Sequence, residues 1–100
     1  MNNQRVEELI QLAIHILKNH LDNFTLYLFG SRSKGLNLKN ADIDLAIDTS
    51  CDKRLVKKAK AEIEEIDTLY SIDIVNMNET DKQFKEIILK SGKKLYTYAK

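Results

Sequence analysis

The chain contains no proline, a single cysteine, only three glycines and almost no net charge, +1 with histidine counted as neutral. Each scarcity excludes something. Without proline no rigid break marks a boundary inside the chain, and no repeat, low-complexity tract or linker supplies one. The lone Cys51 cannot form an internal disulfide and lies in no CxxC or Cys/His spacing that binds zinc, so it reads as a reduced bystander. The near balance of charge lacks the basic surplus of a dedicated nucleic-acid binder, and no direct nucleic-acid contact is expected. No segment approaches the roughly 18 uninterrupted apolar residues of a membrane span, and the opening MNNQRVEELI carries charges where a signal peptide needs an apolar run. These exclusions point to a soluble, cytoplasmic protein with no membrane partner.

What is present is an ordinary folding composition: 43% apolar and 31% charged residues over 100 positions, enough for one modest core, so residues 1–100 are expected to form a single domain. In residues 4–20, Val6, Leu9, Ile10, Ala13, Ile14 and Leu17 recur every three or four positions, with Glu7 and Glu8 early and Lys18 late, the pattern of an amphipathic helix. Then FTLYLFG, ending at Gly30, is a β-branched and aromatic run too short for a helix and reads as a strand covered on both faces. ADIDLAID alternates strictly, with Ile43, Leu45 and Ile47 on a core face and Asp42, Asp44, Ala46 and Asp48 on an acidic one.

Helical spacing of Val56, Ala59, Ile63 and Ile66 predicts a second helix over residues 52–67, followed by a strand at SIDIV, residues 71–75. That order predicts a crossover unit with parallel neighbours. Thr80 with Gln83 reads as a capping box for a helix over 81–91 with Phe84, Ile87 and Ile88 buried, Gly92 as its C-cap, and KKLYTYAK as a short strand or extended end. The fold class is α/β (α+β), a small mixed β-sheet covered by helices.

The chemistry concentrates in LFGSRSKGLNLKNADIDLAID, residues 28–48. Asp42 and Asp44, two positions apart on a strand, project from one face roughly 6.6 Å apart. At an effective dielectric of about 20 their repulsion is roughly 2.5 kcal/mol, enough to matter in a domain of this size. A divalent cation relieves it, and carboxylate oxygens on a rigid strand suit magnesium, which completes its shell from water and substrate phosphates. The expected phosphate site lies upstream in GSRSKG: Gly30 lets backbone N–H groups approach an anion, Ser31 adds a donor, and Arg32 and Lys34 add charge, though either basic residue could equally be solvated. Neither a Walker A loop nor an EF-hand fits these residues.

Apolar-Gly-Ser, then Asp-apolar-Asp, then the isolated Asp73 in an apolar strand resembles the signature of the nucleotidyltransferase superfamily that includes DNA polymerase beta, kanamycin nucleotidyltransferase and the CCA-adding enzymes. The whole chain, including ILKSGKKLY, is similar to its smallest members, the minimal nucleotidyltransferases. The resemblance implies the nucleotidyltransferase fold, with Gly30 and Ser31 at the nucleotide triphosphate, Asp42 and Asp44 holding two Mg²⁺ ions, and Asp73 as third carboxylate and base toward the attacking hydroxyl. Ala41 departs from the serine that often precedes the first aspartate. Larger relatives carry an acceptor-binding domain for which 100 residues leave no room, so the acceptor is expected from outside. Minimal nucleotidyltransferases commonly act as antitoxins that transfer AMP from ATP to a tyrosine of a helical HEPN ribonuclease toxin. The resemblance implies the same activity and partner here. A catalytically idle antitoxin that only covers its toxin, or transfer to a small molecule, are the alternatives.

Residues 52–67 also place Lys53, Arg54, Lys57 and Lys58 before Glu62, Glu64, Glu65 and Asp67, opposing the helix dipole. Either the basic end lies near the site and attracts ATP or an acidic partner, or the face is solvated and held by Lys58–Glu62 and Lys60–Glu64 pairs. His15 and His20 are five apart, off the spacing for a shared metal, and are expected on the surface. Tyr27 is expected in the core, and Tyr96 and Tyr98 against the sheet edge.

Overall fold

The computed structural model describes residues 3–30, 43–68 and 70–100. Helix α1 (Asn3–His20) leads into strand β1 (Asn23–Phe29), and β2 (Ile43–Asp48) is followed by helix α2 (Lys53–Glu64) and strand β3 (Ile72–Asn76). A single 3₁₀ turn (Met77–Glu79) precedes helix α3 (Lys82–Ser91) and strand β4 (Lys93–Ala99). The four strands form one mixed sheet in the order β3-β2-β1-β4. β2 and β3 are parallel, as their helical crossover requires, while β1 runs antiparallel to both β2 and β4.

The two faces of the sheet are covered unequally. On one face Val6, Leu9, Ala13 and Leu17 of α1 and Val56, Ala59 and Ile63 of α2 pack against Phe24, Leu26, Leu28, Ile43, Leu45, Ile47 and Ile74. On the other, Met77 and Ile88, with Phe84 at their margin, cover Tyr27, Ala46 and Phe29. The two-sided burial expected of β1 is present. The second face of β2 is not uniformly acidic: Ala46 is fully buried beneath the 3₁₀ turn and α3, which leaves Asp44 and Asp48 separated at its two ends.

Several boundaries differ from the sequence expectation for physical reasons. α2 stops at Glu64, and Ile66 joins the core from beyond the helix. Helix α1 begins at Asn3, so Glu7 and Glu8 fall after its first turn and contribute little to the dipole. For α3 the cap is Asp81 rather than Thr80: the Asp81 carboxylate accepts from the backbone N–H of Phe84 at 2.7 Å, while the Thr80 hydroxyl donates to the carbonyl of Met77. Ile87, expected in the buried stripe, is 54% exposed, because α3 rests on the sheet through Ile88 alone in its last turns. Gly92 caps α3 as expected, but with φ −75 rather than in the left-handed region. Its glycine requirement is close approach, since a Cβ would lie 2.6 Å from the carbonyl oxygen of Ile88. The expected short final strand is seven residues long, with a register shift where β1 passes from Leu26 to Tyr27.

Candidate active site

Three strand ends converge where the acidic pattern begins. β1 ends at Phe29, and the chain leaves it through Gly30 at φ +78, a conformation that side chains disfavour. β2 and β3 both start at this end, and the backbone N–H of Ile43 donates to the carbonyl of Ser71 at 2.7 Å, which sets their relative height. With that register Asp44 lies opposite Phe29 on one side and opposite Asp73 on the other. Residues in register on neighbouring strands, about 4.8 Å apart, share a face. The two carboxylates therefore stand side by side.

Their surroundings differ. Asp44 is half-buried, whereas Asp73 is exposed on the edge strand. Phe29 packs edge-on against Phe84, ring centroids 5.7 Å apart, and gives the site an apolar flank on the face that carries Asp44. On the same β1 side, Gly30 is so close that a Cβ there would come within 2.7 Å of Asp44 Oδ2. The glycine thus serves twice, by its positive φ and by leaving room for a carboxylate oxygen.

Of the residues singled out from sequence, Gly30, Asp44 and Asp73 are brought together; Ser31, Arg32, Lys34, Ala41 and Asp42 lie outside the described residues. Among the described residues no group of three or more His, Cys, Asp or Glu side chains could hold a metal ion. The pair that is described offers only hard oxygen donors, the donor chemistry that suits magnesium rather than zinc or copper.

Asp73 also opens onto a groove of about 240 Å³ between α2 and the outer edge of β3, lined by Lys53, Lys57 and Lys60 on one wall and by Asp73, Asn76 and Thr80 on the other. The three lysines follow helical spacing of four and three, so they form one stripe on α2. Arg54 turns away, its guanidinium 3.3 Å from Asp52. Glu62 meets His20 Nε2 of α1 at 3.2 Å rather than Lys58, the pairing that the solvated-face alternative required.

Tyr27 is buried as expected. Tyr96 and Tyr98 lean on Phe24, with Lys18 Nζ over both rings, as a tail packed on the sheet does. Cys51 is a free thiol, half-buried beside Asn23 and Thr49. Burial raises its pKa, but the hydrogen bonds around it, led by Thr49, outweigh that and lower it. No described helix is long and apolar enough to cross a membrane.

A mixed sheet with helices on both faces thus sets two aspartates on adjacent strands beside a glycine turn. Residues 11–100 match the family described as polymerase beta, nucleotidyltransferase, and the chain belongs to that family. It is 34% identical over 77 residues to the probable protein adenylyltransferase MntA of Haemophilus influenzae, covering 75% of this chain and 68% of that one. The fold is similar to a crystal structure of a toxin-antitoxin with AMP-PNP, with a TM-score of 0.66, 24% identity and coverage of 83% of this chain and 68% of that chain. It is similar also to a toxin-antitoxin MntA-HepT structure, with a TM-score of 0.57, 20% identity and coverage of 90% and 71%.

Proposed function

We propose that this protein transfers AMP from ATP to a tyrosine hydroxyl of a HEPN-type ribonuclease toxin, and by that modification acts as the toxin's antitoxin. The observation that carries the reading is the in-register pair Asp44 and Asp73 beside the Gly30 turn. Two acidic side chains on neighbouring strands are a standing repulsion that a binding-only protein has no need to keep. The name of the Haemophilus relative supports protein adenylyl transfer, and the toxin-antitoxin character of the structural neighbours supports a toxin as partner.

In this reading Asp42, Asp44 and Asp73 hold two magnesium ions, and Gly30, Ser31, Arg32 and Lys34 receive the triphosphate. Bound magnesium supplies charge neutralisation at the triphosphate and makes the acceptor hydroxyl more acidic. Asp73, the exposed carboxylate, takes the proton of the tyrosine hydroxyl. The phenolic oxygen forms a bond to the α-phosphorus, the bond to the bridging oxygen breaks in line, and pyrophosphate leaves with its electron pair. The rigid strands keep Asp44 and Asp73 at fixed separation, and positioning of this kind is worth several kcal/mol of barrier. Phe29 and Phe84 exclude water from one flank.

The test is incubation with α-labelled ATP, magnesium and the product of the neighbouring gene. Label on the partner supports the proposal; protection from the toxin without label indicates masking alone, and label on a small molecule indicates another acceptor class.

A further inference from the structure

Strand β3 is terminal in the sheet, and among the described residues no strand pairs with its outer side. In this register the backbone groups of Asp73 and Val75 face β2, so those of Ile72, Ile74 and Asn76 point to the outer side, where an extended chain can pair, with Ile74, 1% exposed, at the floor. Here the edge is one wall of a groove whose other wall is the Lys53, Lys57, Lys60 stripe. Among the described residues none of these three ammonium groups takes part in an ion pair. The walls match in length. Lys53 to Lys60 rises roughly 10.5 Å along a helix, and Asp73 to Asn76 roughly 10 Å along a strand, the reach of about four extended residues.

We propose that this groove is the acceptor-docking site: an extended, acidic segment of the modified protein adds as a strand to the free edge of β3. Its carboxylates meet Lys53, Lys57 and Lys60, and its hydroxyl is delivered at Asp73. The inference rests on the transferase reading above and specifies which part of the acceptor is recognised. A triphosphate is the competing occupant and fits less well. It offers only acceptors to an edge that presents both donors and acceptors. A peptide backbone offers both hydrogen-bonding groups, and its side chains alternate, so acidic residues can point to the lysines while the acceptor points to the site.

Binding decides the matter without chemistry. A fluorescein-labelled hexapeptide of alternating valine and glutamate with one central tyrosine is titrated with the protein in the absence of ATP and magnesium. Its lysine counterpart and a version N-methylated at alternate positions are titrated in parallel. Calorimetry measures MgATP affinity separately. The acidic peptide is expected to bind at least about tenfold tighter than the lysine peptide. Double reversal, Lys57→Glu with Lys60→Glu, is expected to weaken it about tenfold, whereas Lys93→Glu with Lys94→Glu on the opposite edge leaves it unchanged. N-methylation is expected to abolish binding to the wild-type protein, a readout that does not depend on any variant folding.

No preference for the acidic peptide, no effect of the double reversal, or indifference to N-methylation overturns the proposal. So does a fall of more than tenfold in MgATP affinity in the double reversal, which would assign the groove to the nucleotide. Because neither ATP nor magnesium is in the peptide titration, its failure leaves the labelled transfer assay free to succeed or fail separately.

Discussion

Replacing Gly30 by alanine perturbs two things of different kinds. The backbone term comes from φ +78, a region that costs a non-glycine residue roughly 1–2 kcal/mol. A steric term arises because the new Cβ would lie 2.7 Å from Asp44 Oδ2, a contact that must lengthen to at least 3.4 Å to reach ordinary van der Waals distance. Strand β2 is pinned between β1 and β3, so the carboxylate rotates rather than the backbone moving. Rotation is cheap for stability and expensive for chemistry, because misplacement near 1 Å can reduce rate by about a hundredfold. Gly30→Ala is therefore expected to lose roughly 1–2 kcal/mol in urea unfolding, a fall in Tm of roughly 4–16 °C for a domain of this size, and about a hundredfold in transfer rate at temperatures where it is fully folded. Gly30→Asn separates the two terms, since asparagine tolerates the left-handed region but still carries a Cβ. Its stability should recover toward wild type while its rate stays low. Recovery of both together, or an alanine variant with wild-type rate, would falsify the assignment of Gly30 as the residue that makes room for Asp44.

Three further outcomes follow from the same geometry. Magnesium at ten times its Kd should stabilise the wild-type protein by about 1.4 kcal/mol in thermal unfolding and leave Asp44→Asn unmoved; equal stabilisation of both would place the ion elsewhere. Asp81→Ala, which removes the α3 cap, should reduce stability by about 1 kcal/mol in urea and leave α1 and α2 intact by hydrogen exchange. For Asp52, its hydrogen bond from the Arg54 backbone N–H, then that from the Arg54 guanidinium, holds the carboxyl below the ordinary aspartate value. A depressed folded pKa contributes stability that is present above the unfolded value of about 3.9 and is lost as pH falls through the folded one. Urea titrations should then show wild type losing ground to Asp52→Ser only below about pH 4, and a difference that is flat down to pH 2 would contradict it.

The site was legible in sequence where local pattern alone decides it. A strictly alternating strand must put Asp44 on the face opposite Leu45, and a lone aspartate in SIDIV must follow the same rule, so both carboxylates could be named before any contact was known. Their pairing could not, because register between β2 and β3 depends on how α2 returns the chain. Ala46 misled for a related reason: alternation places a residue on a face, but only the 3₁₀ turn and α3 determine that this part of the face is covered. Thr80 and Asp81 are adjacent capping residues of nearly equal propensity, and geometry at Phe84 chose the second. The lysine groove was the least accessible feature, because one wall is a helix stripe and the other is an edge that exists only once strand order is known.

The central claim is that the paired aspartates carry out transfer to a protein hydroxyl. Intact mass of the toxin partner, followed over time with MgATP and either the wild-type protein, Asp44→Asn or Asp73→Asn, addresses it most directly. With the wild-type protein the partner is expected to gain the mass of an AMP on a tyrosine, and with either variant the rate is expected to be at least about a thousandfold lower, a loss of about 4 kcal/mol of transition-state stabilisation. Modification by either variant within tenfold of wild type, or none by the wild-type protein, would contradict it.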